Sequence, residues 1–202
     1  MGDVRLAQPG DVPAVALALG RAFADDPVAS YIFPADRGRV ERLDRFFRVQ
    51  LRHNYLPRGE VYTVGAGVAA AMWMPPSPLA PRARDVLAHL RLVTLLGRRF
   101  PATRELSTVL ASRHPPGRHY YLGTIGADPS CQHRGVGSAL LAPVLGRCDA
   151  EGLPAYLECS KRENIAFYAR HGFAVTGEVE APGGGPPLWL MWRDPVGEPS
   201  TG

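Results

Sequence analysis

Lysine and cysteine are scarce in this sequence: it contains one lysine and three cysteines. Lysine occurs once, at Lys161, among 23 basic residues, and the arginines are scattered. The net charge of +4 therefore suits an anionic ligand without indicating a nucleic-acid partner. The three cysteines, Cys131, Cys148 and Cys159, form no C-x-x-C pair. Their odd number argues against a disulfide framework and predicts a reducing cytoplasm. The histidines lack metal-ligand spacing, so we expect no metal.

Long hydrophobic runs are absent as well. No apolar stretch approaches the length of a membrane span, and residues 1–5 do not form the cationic start of a secretion signal. We therefore expect a cytoplasmic protein without a membrane partner. The chain has 202 residues, of which 46% are hydrophobic, and this length favours one domain. We assign the domain to residues 1–195 and expect a tail without fixed structure at 196–202.

Hydrophobic periodicity predicts strands and helices that alternate along the chain. The predicted strands cover residues 4–7, 61–64, 68–74, 119–127, 155–159, 173–179 and 188–193. The predicted helices cover residues 11–23, 37–55, 82–99, 102–112, 135–150 and 163–171. This order is typical of a mixed sheet with helices on its faces.

The strongest chemical signal is the segment Gln132–Ser138, which joins a predicted strand to a predicted helix. Unpaired amides and the positive dipole end at a helix N-terminus favour phosphate. Gly135 and Gly137 let the backbone approach phosphate oxygens without a Cβ in the way. Gln132 is a candidate anchor for the loop, and Arg134 is a candidate charged contact. A loop of this kind is, by itself, also typical of an ordinary connection that binds nothing.

A dinucleotide-binding loop is an alternative interpretation of the same segment. Gly135 and Gly137 supply two of the three required glycines, but Leu140 stands where the third is expected. Glu158 follows at about the distance expected of an acidic ribose ligand. Against this interpretation, several residues separate the strand from Gly135, and the segment comes late in the chain.

Three segments in this order resemble the GNAT superfamily of N-acetyltransferases. The spacing Q-x-x-G-x-G at 132–137 is similar to the motif A of that family. Residues 124–129 resemble its bulged fourth strand, and residues 164–173 resemble its Asn-x-x-Phe/Tyr-Tyr…Gly-Phe segment. The ordered set is far more specific than any single part. The resemblance implies an α/β (α+β) GNAT fold, with a mixed, mostly antiparallel central sheet of about seven strands flanked by helices, and acetyl-CoA as the cofactor.

Further segments resemble puromycin N-acetyltransferase-like proteins in particular. They are 4–7, 11–13, 21–25, 119–126, 157–160 and 167–175. The similarity weakens over 37–116, where substrate contacts usually lie. It therefore bears on the cofactor more than on the acceptor amine.

The family resemblance implies direct acetyl transfer to an amine within a ternary complex. It implies that backbone groups of Ile125 and Ala127 hold the pantetheine arm, where an amide also polarises the thioester carbonyl. Asn164 is a candidate for a cofactor contact or for a helix cap. The predicted cofactor residues are Ile125, Gly126, Ala127, Gln132, His133, Arg134, Gly135, Val136, Gly137, Ser138, Asn164 and Tyr168.

Two side chains are candidate catalytic groups. Tyr168 matches the family's tyrosine, and a phenol can donate a proton as the thiolate forms; the alternative is a core tyrosine. Glu158, at the end of a predicted strand, is the candidate base for the amine proton, directly or through water. Its alternative role is structural, or limited to attracting a cationic substrate. For Cys159 we predict a buried, inert thiol.

The sequence thus predicts an acetyl-CoA-dependent N-acetyltransferase that acts on an amine of a small molecule. The acceptor class indicated by the resemblance is an aminonucleoside or another antibiotic, in resistance or detoxification. A protein N-terminal or lysine acetyltransferase is one alternative, with an open and long acceptor groove. A CoA-binding sensor without turnover is another. We expect a monomer or a homodimer.

Overall fold

The computed structural model describes residues 3–34, 37–76 and 83–197, with residues 83–89 described by their backbone alone. Seven strands form one sheet. The strands are β1 (Val4–Leu6), β2 (Glu60–Val64), β3 (Ala69–Met74), β4 (Tyr120–Ala127), β5 (Ala155–Cys159), β6 (Ala174–Glu180) and β7 (Pro187–Arg193). They are arranged in the order β1-β2-β3-β4-β5-β7-β6.

Helices cover both faces of this sheet. They are α1 (Val12–Ala22), α2 (Pro27–Ile32), α3 (Arg39–Val49), α4 (Leu56–Arg58), α5 (Ala83–Leu96), α6 (Phe100–Arg113), α7 (Val136–Glu151) and α8 (Ile165–Ala169). A π-helix, Gln50–Tyr55, connects α3 to α4. The predicted mixed α/β class is confirmed: among the described strands, only β4 and β5 pair in parallel.

Strand β3 explains why the sheet is covered on both sides. Successive side chains of a strand point to opposite faces, and here both sets are apolar. Ala69, Ala71 and Trp73 pack in the core beneath α7, whereas Ala70 and Met72 pack in the core formed by α1 and α3. All five residues are 0% exposed. The middle of the sheet therefore lies between two apolar layers.

The segment that contains α6 adds a third apolar cluster over the other half of the sheet. Leu106 of α6 is buried against a cluster from β5, β6 and β7 that includes Tyr156 and Leu190. Arg99, just before α6, donates from Nη2 to the carbonyl of Tyr31 in α2. The segment is therefore tied to the rest of the fold by burial and by a side-chain hydrogen bond.

The helix predicted over 37–55 is divided in the structure. It begins as α3, widens into the π-helix Gln50–Tyr55 and ends as α4. Leu51 and Tyr55 are both buried along this stretch. The prediction of one regular helix was wrong here, because a repeat of 3.6 residues does not reveal a local i→i+5 pattern.

Two further helices have irregular features, a proline inside α7 and a 3₁₀ turn before α8. Pro143 lies inside α7, and the helix nevertheless continues to Glu151, although proline donates no hydrogen bond there. The helix predicted over 163–171 is a 3₁₀ turn followed by α8, which ends at Ala169. Gly172 follows with φ +86°, a left-handed conformation that favours glycine after a helix. Residue 82, the predicted start of α5, lies outside the described residues.

The C-terminal end of the described chain is held by a carboxylate of α7. The Val196 amide donates to Asp149 Oδ1 over 2.7 Å, and Arg193 forms two 2.8 Å hydrogen bonds to the same carboxylate. Residues 198–202 of the expected tail lie outside the described residues. Within the described part of the chain, no helix has both the length and the apolar character needed to cross a bilayer.

Candidate active site

The central feature of the site is a wedge between β4 and β5. The two strands pair from Tyr120 and Ala155 as far as Leu122 and Leu157. Beyond that point β4 continues to Ala127 along β3 without a partner on the β5 side. A cleft of about 740 Å³ opens in the gap.

Backbone alternation determines which groups of β4 face this cleft. The amide of Asp128 donates to the Val68 carbonyl, on the β3 side. Successive residues of a strand direct their backbone groups to opposite sides, so Ile125 and Ala127 direct theirs away from β3. The Ala127 carbonyl accepts a hydrogen bond from Gln132 Nε2 over 3.1 Å, as expected for a group on the open side. The two predicted pantetheine contacts therefore face the wedge.

The N-terminus of α7 lies at the end of the cleft. Gly135 is its N-cap residue, in the left-handed conformation at φ +75°, and no side chain caps the helix. The first amides of a helix have no intrahelical partner; here these belong to Val136, Gly137 and Ser138. The site combines unpaired donors with the positive end of a 16-residue helix dipole. Such an arrangement is suited to a phosphate group.

The backbone that leads into α7 has an unusual local conformation. His133 has φ +60° and is the one non-glycine residue with positive φ among the described residues. Gly137 lies against Phe167 of α8, and a Cβ at this position would be 2.9 Å from the ring. The loop shape thus depends on a residue held in a sparsely populated region and on a close helix–helix approach.

The structure brings nearly all predicted site residues together. Every predicted cofactor residue lines the cleft except Arg134, which is exposed beside it. Asn164 lines the cleft, and its side chain does not cap α8. The predicted catalytic residues Glu158 and Tyr168 line the same cleft. The contacts of these residues with a cofactor stay a prediction.

Glu158 has a mostly enclosed carboxylate next to two tyrosine rings. Tyr121 donates its hydroxyl to Glu158 Oε2 over 2.7 Å. Burial raises the pKa of the Glu158 carboxyl, and the hydrogen bond from Tyr121 opposes this shift without cancelling it. A carboxylate with a raised pKa next to a cleft is suited to accept a proton near neutral pH.

Tyr168 is buried in α8 and lines the cleft. Burial raises the pKa of its phenol, and the nearby Cys159 and Asp26 raise it further. The hydroxyl therefore keeps its proton at neutral pH and can act only as a donor of that proton or as a hydrogen-bond partner. Cys159 is buried, and burial raises the pKa of its thiol to about 11. An unreactive thiol is the expected consequence.

Sequence reasoning missed the aromatic partners of Glu158. Tyr121 lies beside Tyr156 in the β4–β5 register, and their rings stack at 5.9 Å. Tyr55 of the π-helix reaches the same place, because its hydroxyl abuts Gly123 of β4. Alternation along β5 places Tyr156 and Glu158 on one face, a signal available in the sequence. The register with β4 and the position of Tyr55 are tertiary properties and gave no such signal.

Asp26 is a buried carboxylate that contacts two elements. Its Oδ1 accepts from the amides of Val28 and Ala29, so it caps the start of α2. Its other oxygen accepts a hydrogen bond from the Ser160 hydroxyl at the end of β5. Asp26 therefore joins two elements across the cleft.

A second cavity of about 580 Å³ lies beyond Tyr55 and Tyr121. Polar groups from the π-helix and from the segment before β4 line it, including Asn54, His114 and His119. The Nε2 atoms of the two histidines are 2.9 Å apart. Within the described part of the chain, no three metal-ligating side chains come close enough together to hold a metal ion.

Comparisons with known proteins agree with this geometry. Residues 98–173, which contain β4, the loop, α7, β5 and α8, match the model of the acetyltransferase (GNAT) family. An uncharacterized N-acetyltransferase of Schizosaccharomyces pombe is 28% identical over 93% of this chain and 81% of its own length.

Two solved structures extend the comparison to the whole fold. A Corynebacterium glutamicum protein described as histone acetyltransferase HPA2 and related acetyltransferase is 28% identical, with a TM-score of 0.73 and full coverage of both chains. The polyamine N-acetyltransferase of Drosophila melanogaster is 14% identical, with a TM-score of 0.59 over 95% of this chain and 98% of its own, a likeness of fold alone. The matched segment, the seven-stranded sheet and these relatives along the whole chain together show that this protein is similar to acetyltransferases of the GNAT family.

Proposed function

We propose that this protein transfers the acetyl group of acetyl-CoA to an amine of a small molecule. The observation that carries the proposal is the continuous cleft that runs from the unpaired edge of β4 to the uncapped start of α7. An acceptor of the aminonucleoside type, or another antibiotic, follows from the resemblance to puromycin N-acetyltransferase-like proteins.

The residues present in the cleft fit the cofactor. A pantetheine arm contains amide groups, which can pair with the backbone of Ile125 and Ala127 in the manner of an added strand. The amides of Val136, Gly137 and Ser138 would hold the diphosphate. The αL conformation of Gly135 leaves that approach free of a side chain.

Acetyl-CoA, when bound, supplies the acetyl thioester that reacts with the amine. Glu158 would accept the proton of the incoming ammonium, so that the amine nitrogen gains its lone pair. The amide facing the wedge at Ile125 or Ala127 would polarise the thioester carbonyl. Tyr168 would supply a proton to the thiol that leaves; its raised pKa keeps the phenol protonated at neutral pH.

The elements around the cleft favour a small acceptor, because they narrow the access to Glu158. The π-helix places Tyr55 against Gly123, so that the segment before β2 closes the sheet face beside Glu158. Helix α6 covers the neighbouring half of the sheet. A protein terminus or a lysine side chain enters most easily through an open groove, and these elements narrow the approach.

The direct test is thiol release from acetyl-CoA by the purified protein with a panel of amines. The panel contains aminonucleosides, other small amines, and peptides with a free N-terminus or a lysine. We expect release with small amines. Turnover of the peptides alone would exclude the small-molecule acceptor, and the name of the C. glutamicum relative makes histone-type peptides a necessary part of the panel.

The Tyr168→Phe variant separates an enzyme from a CoA-binding sensor. We expect kcat to fall on the order of 100-fold, because the proton donor is lost, while the variant still binds CoA. Tyr62→Phe is the matched control: it removes a hydroxyl bonded to Glu60, outside the cleft. Binding of CoA without thiol release from any amine would identify a sensor.

A further inference from the structure

The cofactor loop has a contact that neither the family match nor the proposed mechanism uses. Ser138, the third residue of α7, lines the cleft, and its Oγ is 2.9 Å from Nε2 of His171. His171 follows α8 and does not line the cleft. The serine hydroxyl thus stands between the cleft in front and the imidazole behind it.

The imidazole of His171 is held firmly by its surroundings. Its carbonyl accepts a 2.9 Å hydrogen bond from Arg193 Nε, and its amide donates to the Tyr168 carbonyl. The ring lies 5.1 Å from the Phe167 ring at an interplanar angle of 65°. Since backbone and ring are both fixed, the ring can direct the hydroxyl without a change of its own position.

The proton on Nε2 decides what Ser138 can do. A hydroxyl donates one hydrogen bond and accepts up to two. If Nε2 is unprotonated, Ser138 donates to it and has no proton left for a ligand in the cleft. If Nε2 carries a proton, it donates to Oγ, and the serine proton is directed to the cleft, where an anion selects this arrangement.

We propose that His171 is a positioning residue for the cofactor diphosphate, acting through Ser138. In the complex, His171 Nε2–H donates to Ser138 Oγ, and Ser138 donates to a diphosphate oxygen beside the amides of α7. The assignment rests on the proposed function, since it requires CoA in the cleft.

The charged groups around the ring favour the neutral form of His171 in the free protein. Arg170 precedes it in the chain, and Arg193 faces it from β7, where Asp149 of α7 balances the guanidinium charge. Burial lowers the pKa of the imidazole, and the two arginines lower it further. The neutral tautomer with the proton on Nε2 therefore suffices for the relay, and an anion in the cleft stabilises it.

The first test measures CoA affinity by calorimetry in a double-mutant cycle. We expect Ser138→Ala to weaken binding by roughly tenfold, the loss of one charge-assisted hydrogen bond. His171→Phe should weaken binding by about threefold in the wild-type background and not at all in the Ser138→Ala background. His171→Gln, which keeps a donor, should bind nearly as well as the wild type. Additive losses, or no loss with His171→Phe, would overturn the assignment.

The second test reads the proton directly and uses the unaltered protein. Nitrogen NMR of the histidine side chains should show Nε2 of His171 protonated when CoA is bound. An unprotonated Nε2 in the complex contradicts the relay, even if His171→Phe fails to fold.

Two controls locate the effect. Pantetheine lacks the diphosphate, so its affinity should not respond to His171→Phe, and His53→Phe, on the π-helix, should leave CoA affinity unchanged. A response of pantetheine would show general damage to the cleft and would count against the assignment. Failure of the wild type to bind CoA would contradict both the proposed function and this assignment. If CoA binds the wild type and His171→Phe with equal affinity, only the assignment is contradicted.

Discussion

At the scale of single residues, the chemistry of Glu158 depends on its immediate neighbours. The carboxyl is largely enclosed, and enclosure favours its protonated form. The Tyr121 hydroxyl, 2.7 Å from Oε2, favours the ionised form. The raised folded-state pKa means that this group supports the native state most below its ordinary value of 4.5 and loses that contribution as the pH rises through the folded value.

The same pKa predicts the acid limb of the pH–rate profile. A base must be ionised, so kcat/KM should rise with pH, with a midpoint above 4.5. Tyr121→Phe removes a donor that stabilises the carboxylate and should move the midpoint upward by up to about one unit. Glu158→Gln should abolish the acid limb and lower kcat/KM on the order of 100-fold.

The control is Tyr120→Phe, because the hydroxyl of Tyr120 donates to Glu151 and not to Glu158. This variant should keep the wild-type midpoint. An unchanged limb in Glu158→Gln would show that another group is the base.

Two glycines of α7 and its cap allow a matched pair of substitutions. A Cβ at Gly135 or at Gly146 meets nothing within 4 Å, but only Gly135 has positive φ. Gly135→Ala should therefore cost about 1 kcal/mol of unfolding free energy, whereas Gly146→Ala should add about 0.5–1 kcal/mol. Urea denaturation measures both.

The carboxylate variant at the same cap tests the diphosphate site. Gly135→Asp places a negative charge beside the amides of α7 and should weaken CoA binding at least about tenfold. Gly146→Asp, on the same helix, is the charge-matched control. Equal CoA affinity in both variants would contradict the location of the diphosphate site.

At the scale of elements, the bulge in β4 depends on its contact with the π-helix. The β3–β4 register shifts between Met72 and Trp73, which leaves Gly123 as the extra residue of β4. A Cβ on Gly123 would overlap the hydroxyl of the buried Tyr55 and would lie 3.0 Å from its ring carbon Cζ. The start of the wedge and the position of Tyr55 are therefore coupled.

This coupling predicts a rescue between the two elements. Gly123→Ala should lower the unfolding free energy by about 2 kcal/mol, as overpacking does. Tyr55→Phe removes the overlapping oxygen and should recover part of the loss in the double variant. Gly177→Ala is the control in β6, where a Cβ makes only ordinary contact with Leu190, and should change stability by less than about 1 kcal/mol. A double variant no more stable than Gly123→Ala would show that another contact sets the bulge.

At the scale of the whole molecule, the sequence predicted what is encoded locally. The mixed sheet with helices on its faces and the seven strands were predicted from short apolar and β-branched runs bounded by turn residues, which are local signals; the GNAT fold was implied by the family resemblance. The loop at 132–138 was predicted from its glycines and spacing, Glu158 from its place at the end of a predicted strand, and Tyr168 from the family resemblance. The order of the strands in the sheet was not predicted. Strand β7 lies between β5 and β6, and only tertiary pairing determines this arrangement.

The parts that the sequence did not predict share one cause. The Tyr121–Glu158 hydrogen bond and the Ser138–His171 contact each join residues whose proximity depends on how separate elements pack. Residues 121 and 158 are 37 positions apart, and residues 138 and 171 are 33 apart. No local pattern in a sequence predicts contacts between residues so far apart, so the hydrogen-bond partners of Glu158 and Ser138 were found only in the structure.

Ligand-induced stabilisation distinguishes CoA from the dinucleotide alternative for the molecule as a whole. A ligand that binds only the native state adds about 2.7 kcal/mol at a concentration 100 times its Kd, which raises the Tm of a domain of this size by roughly 5–10 °C. We expect this rise with CoA and no rise with NAD. Pantetheine, which lacks the diphosphate and cannot use the amides of α7, should need a much higher concentration for the same rise. Stabilisation by NAD without stabilisation by CoA would favour a dinucleotide site at 132–138, because the uncapped helix start would then serve a different diphosphate.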